Sequence, residues 1–259
     1  MKITASQFPV TADIDNNLEQ IINMLESNPD SDWLLTPEGS LSGYCHNVTH
    51  EVKDENVKNN YFKALEKLEK YLLDNKRSIA LGTGHWEQDG FPYNQIRYYY
   101  NGQLITAYNK QQLTRTTQGL GEYYYYLAGH QNVILEIAQD FPVAGLLCND
   151  AWAFPGASPD GDPYLWKELG DCKAVFVASN CAIDTHSEVV YDWHDSHLRM
   201  WATTNNQYVV SSTSTTDMVG GEISKVQAPA GIVGPDGVWI QKCSDLATVD
   251  SVTVEIPNG

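Results

Sequence analysis

Residues 141–155 read FPVAGLLCNDAWAFP. Positions 143–147 hold only apolar residues and glycine, the pattern of a buried strand, and the run stops abruptly at Cys148-Asn149-Asp150. A cysteine at that point has two readings. Free cysteine is among the most buried residue types and packs as a small hydrophobe. The other reading is a nucleophile carried on a strand end. The stretch alone leaves both open, so the rest of the chain has to decide.

The same rhythm extends in both directions. Upstream, residues 1–8 form an opening strand, followed by a helix with Leu18, Ile21, Ile22 and Leu25 on one stripe and Asp15 as its N-cap. A strand over 32–36 closes at Pro37, and a longer helix over 55–75 carries Phe62, Leu65, Leu68 and Leu72 at helical spacing. Residues 78–84 form another strand, and 94–100 with 103–108 make a hairpin around Asn101-Gly102, a strong turn pair. Downstream of the opening stretch come a Pro/Gly/Asp-rich loop, a short helix from Tyr164 to Leu169, a strand over 174–179, a helix over 193–206 and a strand over 208–214. Two late strands flank Gly234-Pro235-Asp236-Gly237, and a last one covers 250–256. No composition shift marks a linker and no internal repeat is present, so strands alternating with helices imply one α/β domain over residues 1–259.

Two further strands deliver chemistry-bearing residues. Trp33-Leu34-Leu35-Thr36-Pro37 leads to Glu38, and Leu104-Ile105-Thr106-Ala107-Tyr108 leads to Lys110. Open α/β sheets place their sites at such ends. Taken singly, a Glu or a Lys there is an ordinary loop residue.

Taken together with Cys148, the three resemble the nitrilase, or carbon–nitrogen hydrolase, superfamily. "LLTPEGSLSGY" is similar to the segment carrying that family's catalytic Glu, "YNKQQLT" to the one carrying its Lys and "GLLCNDAW" to the one carrying its Cys. The opening "MKITASQFPV" and the late "GIVGPDGVWI" fall in matching order. The resemblance implies a four-layer α-β-β-α sandwich of the nitrilase type, a site at one edge of the sheets, a homodimer or higher homo-oligomer, and no metal or organic cofactor. It implies that Cys148 is the nucleophile, that Glu38 is the base taking its proton, and that Lys110 and the backbone N–H of Asn149 face the oxyanion. Glu122, in "GLGEYYYYLAG", is similar to a fourth family residue that holds the Lys and orients substrate. Tyr44, Trp152 and Asn180 fall where pocket walls are expected, while Tyr123–Tyr126, four in a row, are expected to do some lining of the pocket and some covering of a core edge.

The chain also departs from the family pattern. Gln112 stands two after the Lys where His is common, Gly156 follows Pro155 where Glu is common, and Ala228 replaces a Ser in "APAGIVGPDG". Members acting on carbamoyl amino acids carry arginine after Cys-Asn-Asp; here Ala151 and Trp152 follow. Without that guanidinium the bidentate clamp for a carboxylate is missing, so the expected substrate is a neutral or cationic small-molecule amide (or a carbamoyl amine). True nitrilases carry Trp-Glu after the cysteine, and this chain has Asn149-Asp150.

Composition narrows the field further. The 259 residues include 16 Lys and Arg against 33 Asp and Glu, a net charge of −17 that repels phosphate backbones and argues against nucleic-acid binding. No apolar run approaches the roughly 18 residues of a membrane helix. The N-terminus lacks a signal-peptide core, so the Asn47-Val48-Thr49 sequon is read as a chance match and the expected compartment is the cytoplasm. Five widely spaced cysteines without a Cys-x-x-Cys pair exclude a disulfide framework or zinc ribbon. His46 with His50, and His194 with His197, lack the companions of a zinc motif and are read as solvent-exposed or locally hydrogen-bonded. Two rival readings stand beside this one: a Cys-His hydrolase of the glutamine amidotransferase kind, which needs a Gly-x-Cys-x-Gly elbow that Leu147-Cys148-Asn149 does not supply, and a catalytically silent binding protein of the same fold.

Overall fold

A computed structural model of the chain describes residues 1–44, 54–87, 90–115, 121–153, 162, 165–180, 188–215 and 226–258. Cys45, His46, His50, the sequon at 47–49, Pro155, Gly156, Tyr164 and Cys181 lie outside the described residues.

The first half of the chain builds β1 (Lys2–Phe8), α1 (Ile14–Ser27), β2 (Trp33–Leu35), α2 (Glu55–Asp74), β3 (Ile79–His85), β4 (Tyr93–Tyr100) and β5 (Gln103–Asn109). The second builds β6 (Ile134–Glu136), β7 (Pro142–Leu147), α3 (Asn149–Trp152), β8 (Ala174–Ser179), α4 (Glu188–Asn205), β9 (Tyr208–Ser214), β10 (Gly231–Val233), β11 (Trp239–Lys242) and β12 (Asp250–Glu255), with 3-10 turns at Glu122–Tyr124 and Leu165–Leu169.

The strands run in the order β5-β4-β3-β2-β1-β9-β8-β7-β6, with β12 added to β1 and the β10–β11 hairpin added to β9. The neighbours from β3 through β2, β1, β9 and β8 to β7 are all parallel. Only Gln7 with Thr213 and Phe8 with Ser214 join β1 to β9. The rest of β1 pairs with β12, and residues 209–211 of β9 pair with β10. The sheet therefore splits at this junction into two leaves that fold face to face.

Side-chain packing, more than the junction, holds the leaves together. Two backbone pairs contribute on the order of 1 kcal/mol per hydrogen bond net. One core cluster, by contrast, unites Ile3, Trp33, Ile96 and Tyr98 of the first leaf with Val143, Phe176 and Val210 of the second. Each such side chain contributes about 1.5–3 kcal/mol on burial. The Tyr98 and Phe176 rings stack across the interface at 6.4 Å.

Outer helices complete the expected α-β-β-α layering. Leu18, Ile21 and Leu25 of α1 and Tyr61, Leu65, Leu68 and Leu72 of α2 cover Leu34, Ile79 and Leu81. Leu198, Trp201 and Ala202 of α4 cover the other leaf. The N-cap of α1 is Asp13, whose carboxylate accepts from Asn16 N–H at 3.1 Å, and not Asp15, which lies in the first turn. The segment expected to be helical before Leu169 forms a 3-10 turn. Helix α4 begins at Glu188, earlier than its periodicity indicates.

Candidate active site

Parallel strands bring their C-terminal ends to one edge, and the predicted residues converge there. Glu38 lies three residues past β2, Lys110 directly follows β5, Cys148 directly follows β7 and Asn180 directly follows β8. Strand β4 runs antiparallel to both β3 and β5, so Asn94, near its start, arrives at the same edge. Backbone bonds tie these ends together. Glu38 N–H donates to Ser179 O (3.3 Å), Cys148 N–H to Ala178 O (2.9 Å) and Lys110 N–H to Asn94 O (2.8 Å).

Glu38, Lys110 and Glu122 are wholly buried and form one cluster. Lys110 Nζ donates to Glu38 Oε1 at 2.7 Å and lies 2.8 Å from both Glu122 oxygens. Asn94 Nδ2 donates to the same Oε1 atoms, at 2.8 Å to Glu38 and 2.9 Å to Glu122. Glu38 Oε2 accepts from Asn180 N–H at 2.9 Å, and Glu122 Oε2 from Thr114 N–H at 3.0 Å.

One cation between two carboxylates cannot serve both equally. Burial pushes the Glu38 carboxyl up to about 7 against the opposing pull of Lys110, with the charge on Glu122 adding to the rise. Burial also works against ionised Glu122, yet Lys110 and hydrogen bonds from Thr114 and Asn94 outweigh it and hold that carboxyl below its usual range. Lys110 loses by burial as well, but Glu122 and Glu38 keep it above the ordinary lysine range and therefore charged.

Cys148 occupies a strand-to-helix elbow with φ 44° and ψ −101°, a left-handed conformation rare for a residue bearing Cβ. Its strain marks a site where the surroundings dictate the backbone. Asp150 braces the elbow. It is buried, and its Oδ1 accepts from Gln111 N–H (3.1 Å) and Gln112 N–H (2.7 Å), just past Lys110. Its Oδ2 accepts from the Tyr108 hydroxyl (2.8 Å) and Leu147 N–H (3.3 Å), so one carboxylate stitches the Lys110 segment to the Cys148 segment. Cys148 and Asp150 both act electrostatically on Lys110.

The remaining predicted residues divide. Asn180 holds Glu38 through its N–H and through Nδ2, which donates to Glu38 O at 3.2 Å. Asn149 is buried with Nδ2 donating to Gln112 O at 3.1 Å. Tyr44 packs with Leu113 and Tyr126 in a small apolar cluster. Within the tyrosine run, Tyr123 and Tyr124 are exposed, while Tyr126 is buried against Tyr44 and Leu113. Trp152 is buried against the His194 ring at 4.3 Å, and His194 Nδ1 lies 2.8 Å from Gln227 O. His194 is thus buried and not solvent-exposed. Among the described residues no group of three or more His, Cys, Asp or Glu is arranged to hold a metal, and no helix is long and apolar enough to cross a membrane.

Sequence reasoning missed Asn94 and Asp150. Asp150 sits in the very stretch that set the fold, two residues past the cysteine, where a buried carboxylate among apolar neighbours is itself a signal. Asn94 looks like any strand residue until the hairpin pairing is known.

No protein-family model matches the sequence, and no curated protein matches it. Solved structures do. An amidase from Nesterenkonia sp. superimposes with a TM-score of 0.78 at 17% identity, over 100% of this chain and 90% of that one. A mutant of a Nesterenkonia amidase from the nitrilase superfamily gives 0.77 at 18% identity, over 100% and 91%. A glutamine-dependent NAD+ synthetase from Acinetobacter baumannii gives 0.72 at 21% identity, over 97% of this chain and 44% of that one. The chain therefore spans less than half of that synthetase. The fold is that of the nitrilase superfamily.

Proposed function

We propose that the protein is a cysteine-dependent carbon–nitrogen hydrolase of the nitrilase superfamily that converts a small neutral or cationic amide (or carbamoyl amine) to an acid through a thioester on Cys148. The observation that carries this reading is the buried Glu38–Lys110–Glu122 cluster at the edge where the strained Cys148 elbow stands.

A free thiol, with a pKa of about 8.5, is mostly protonated at neutral pH and needs a base. Glu38, pushed up to about 7, is suited both to accept that proton and to return it. As Sγ bonds to the carbonyl carbon, the thiol proton passes to Glu38 and the carbonyl oxygen becomes an oxyanion. Two of the three Lys110 N–H groups go to the carboxylates, leaving one for the oxyanion. The Asn149 N–H is the second donor. The C–N bond then breaks as Glu38 gives its proton to the leaving nitrogen. In the second half Glu38 takes a proton from water, hydroxide attacks the thioester, and the C–S bond breaks with Sγ reprotonated.

Support for an amide substrate comes from structural neighbours. A mutant of the Nesterenkonia amidase shows covalent addition of the acetamide moiety of fluoroacetamide at its active site cysteine, and a double mutant is in complex with acrylamide. Ala151 and Trp152, in place of arginine, favour an uncharged or cationic substrate group beside the elbow. The test is ammonia release from a panel of short amides, with the matching nitriles and carbamoyl amines beside them. Turnover of an amide that Cys148→Ala abolishes supports the reading. Turnover that survives Cys148→Ala, or no turnover of any panel member, rejects it.

A further inference from the structure

Asn94 touches three groups of the cluster at once. Its C=O accepts from Lys110 N–H at 2.8 Å, and its Nδ2 donates one N–H to Glu38 Oε1 and the other to Glu122 Oε1. Resting on the hydrolase reading above, we infer that Asn94 is a positioning residue that shares its amide between the two carboxylates and keeps Glu38 ionised for proton transfer without a second cation.

The geometry leaves its orientation no freedom. Turning the amide over would set Oδ1 against two carboxylate oxygens. As it stands, Oδ1 is buried and has no hydrogen-bond partner among the described residues, a cost native proteins rarely accept. Both Nδ2 protons are spent on charged acceptors, the stronger kind of hydrogen bond. The Oε1 atoms are thereby bridged twice, by the Lys110 cation and by a neutral amide. A lysine or arginine at position 94 would stabilise the Glu38 charge so strongly that it would cease to accept protons near neutrality. An apolar residue would leave Glu38 with Lys110 and one backbone N–H from Asn180 against full desolvation. A neutral donor lies between these extremes. The titratable groups around Glu38 are Lys110 at the end of β5, Glu122 in the 3-10 turn, and, acting on Lys110, Cys148 at the elbow and Asp150 in α3. None of the others is a neutral donor to both carboxylates.

The experiment follows two quantities against pH in the full chain, wild type and variant. One is the rate of Cys148 alkylation by iodoacetamide, which needs no substrate assignment; the other is kcat/KM for an amide. In Asn94→Ala the acid limb of both profiles moves up by about 0.5–1 unit, since losing a hydrogen bond to the ionised form raises a carboxyl pKa. Asn94→Asp, nearly isosteric, adds a third carboxyl and moves the limb further up, and it carries the test should the alanine variant not fold. A uniform loss of rate with an unmoved limb in a folded variant overturns the inference, because a merely structural role gives that pattern. If no amide is turned over by the wild type, the hydrolase reading fails on its own while the alkylation profile still decides the role of Asn94.

Discussion

Glu38 and Glu122 are the same kind of side chain, both wholly buried around one ammonium, and they end on opposite sides of the ordinary carboxyl range. Each carboxylate has one backbone donor of its own, Asn180 N–H for Glu38 and Thr114 N–H for Glu122. The difference lies in Lys110, whose Nζ sits 2.8 Å from both Glu122 oxygens but is set against Oε1 of Glu38, where burial wins. Glu38 works as a base in its ionised form, so kcat/KM should hold above about pH 8 and fall roughly tenfold per unit at acid pH once below the Glu38 pKa. A rate flat down to pH 5 would remove Glu38 from that role. Lys110→Ala strands two buried carboxylates, a loss of about 3–5 kcal/mol, visible as a lower Tm. Lys110→Arg should restore Tm in part without restoring kcat, because a planar guanidinium does not reproduce a point charge; a near wild-type kcat would show that charge alone suffices. Glu38, Lys110 and Cys148 were legible because each stands within three residues of a strand end and their three segments together resemble one family. Asn94 was not, because its place depends on strand direction.

At the scale of elements, the Glu38 loop is fixed by close backbone approach. A Cβ on Gly82 of β3 would come within 2.3 Å of Pro37 O and 3.0 Å of Glu38 Cα. Gly82→Ala should therefore displace the Glu38 loop, costing about 1–3 kcal/mol and lowering kcat more than it raises KM. Wild-type Tm and kcat in that variant would show the loop to be yielding. The elements themselves were read well where burial is periodic and poorly where it is not. In α2 the stripe continues as Tyr61, Leu65, Leu68 and Leu72, with Tyr61 and not Phe62 fully inside. In α4 the first buried residue is His194, and Val189 in its first turn is 76% exposed, so the pattern begins a turn late. Strand β6 was missed altogether, since its three residues are exposed or half-buried at a sheet edge.

For the whole molecule, the four-layer order follows from two leaves sharing one apolar core with helices on both outer faces. Alternation of strands with helices announced an α/β domain, while the layering was implied only by the family resemblance. Invisible in the sequence was the junction, where β1 and β9 share two residue pairs before parting toward β12 and β10. The net charge of −17 acts on substrate only weakly, because salt screens beyond about 8 Å. Selectivity against anions should therefore come from the absent arginine beside the elbow. A neutral amide should exceed its ω-carboxylate analogue in kcat/KM by about tenfold or more at both low and high salt. Equal rates, or a preference that vanishes in salt, would place selectivity in the global field. The most direct test of the account is the mass of Cys148 during turnover. Acid quenching of a reacting mixture, followed by peptide mapping, should find the acyl group of the amide on the peptide bearing Cys148, and none on Cys45, Cys172, Cys181 or Cys243. Steady turnover with Cys148 unmodified, or the acyl group on another cysteine, would contradict it.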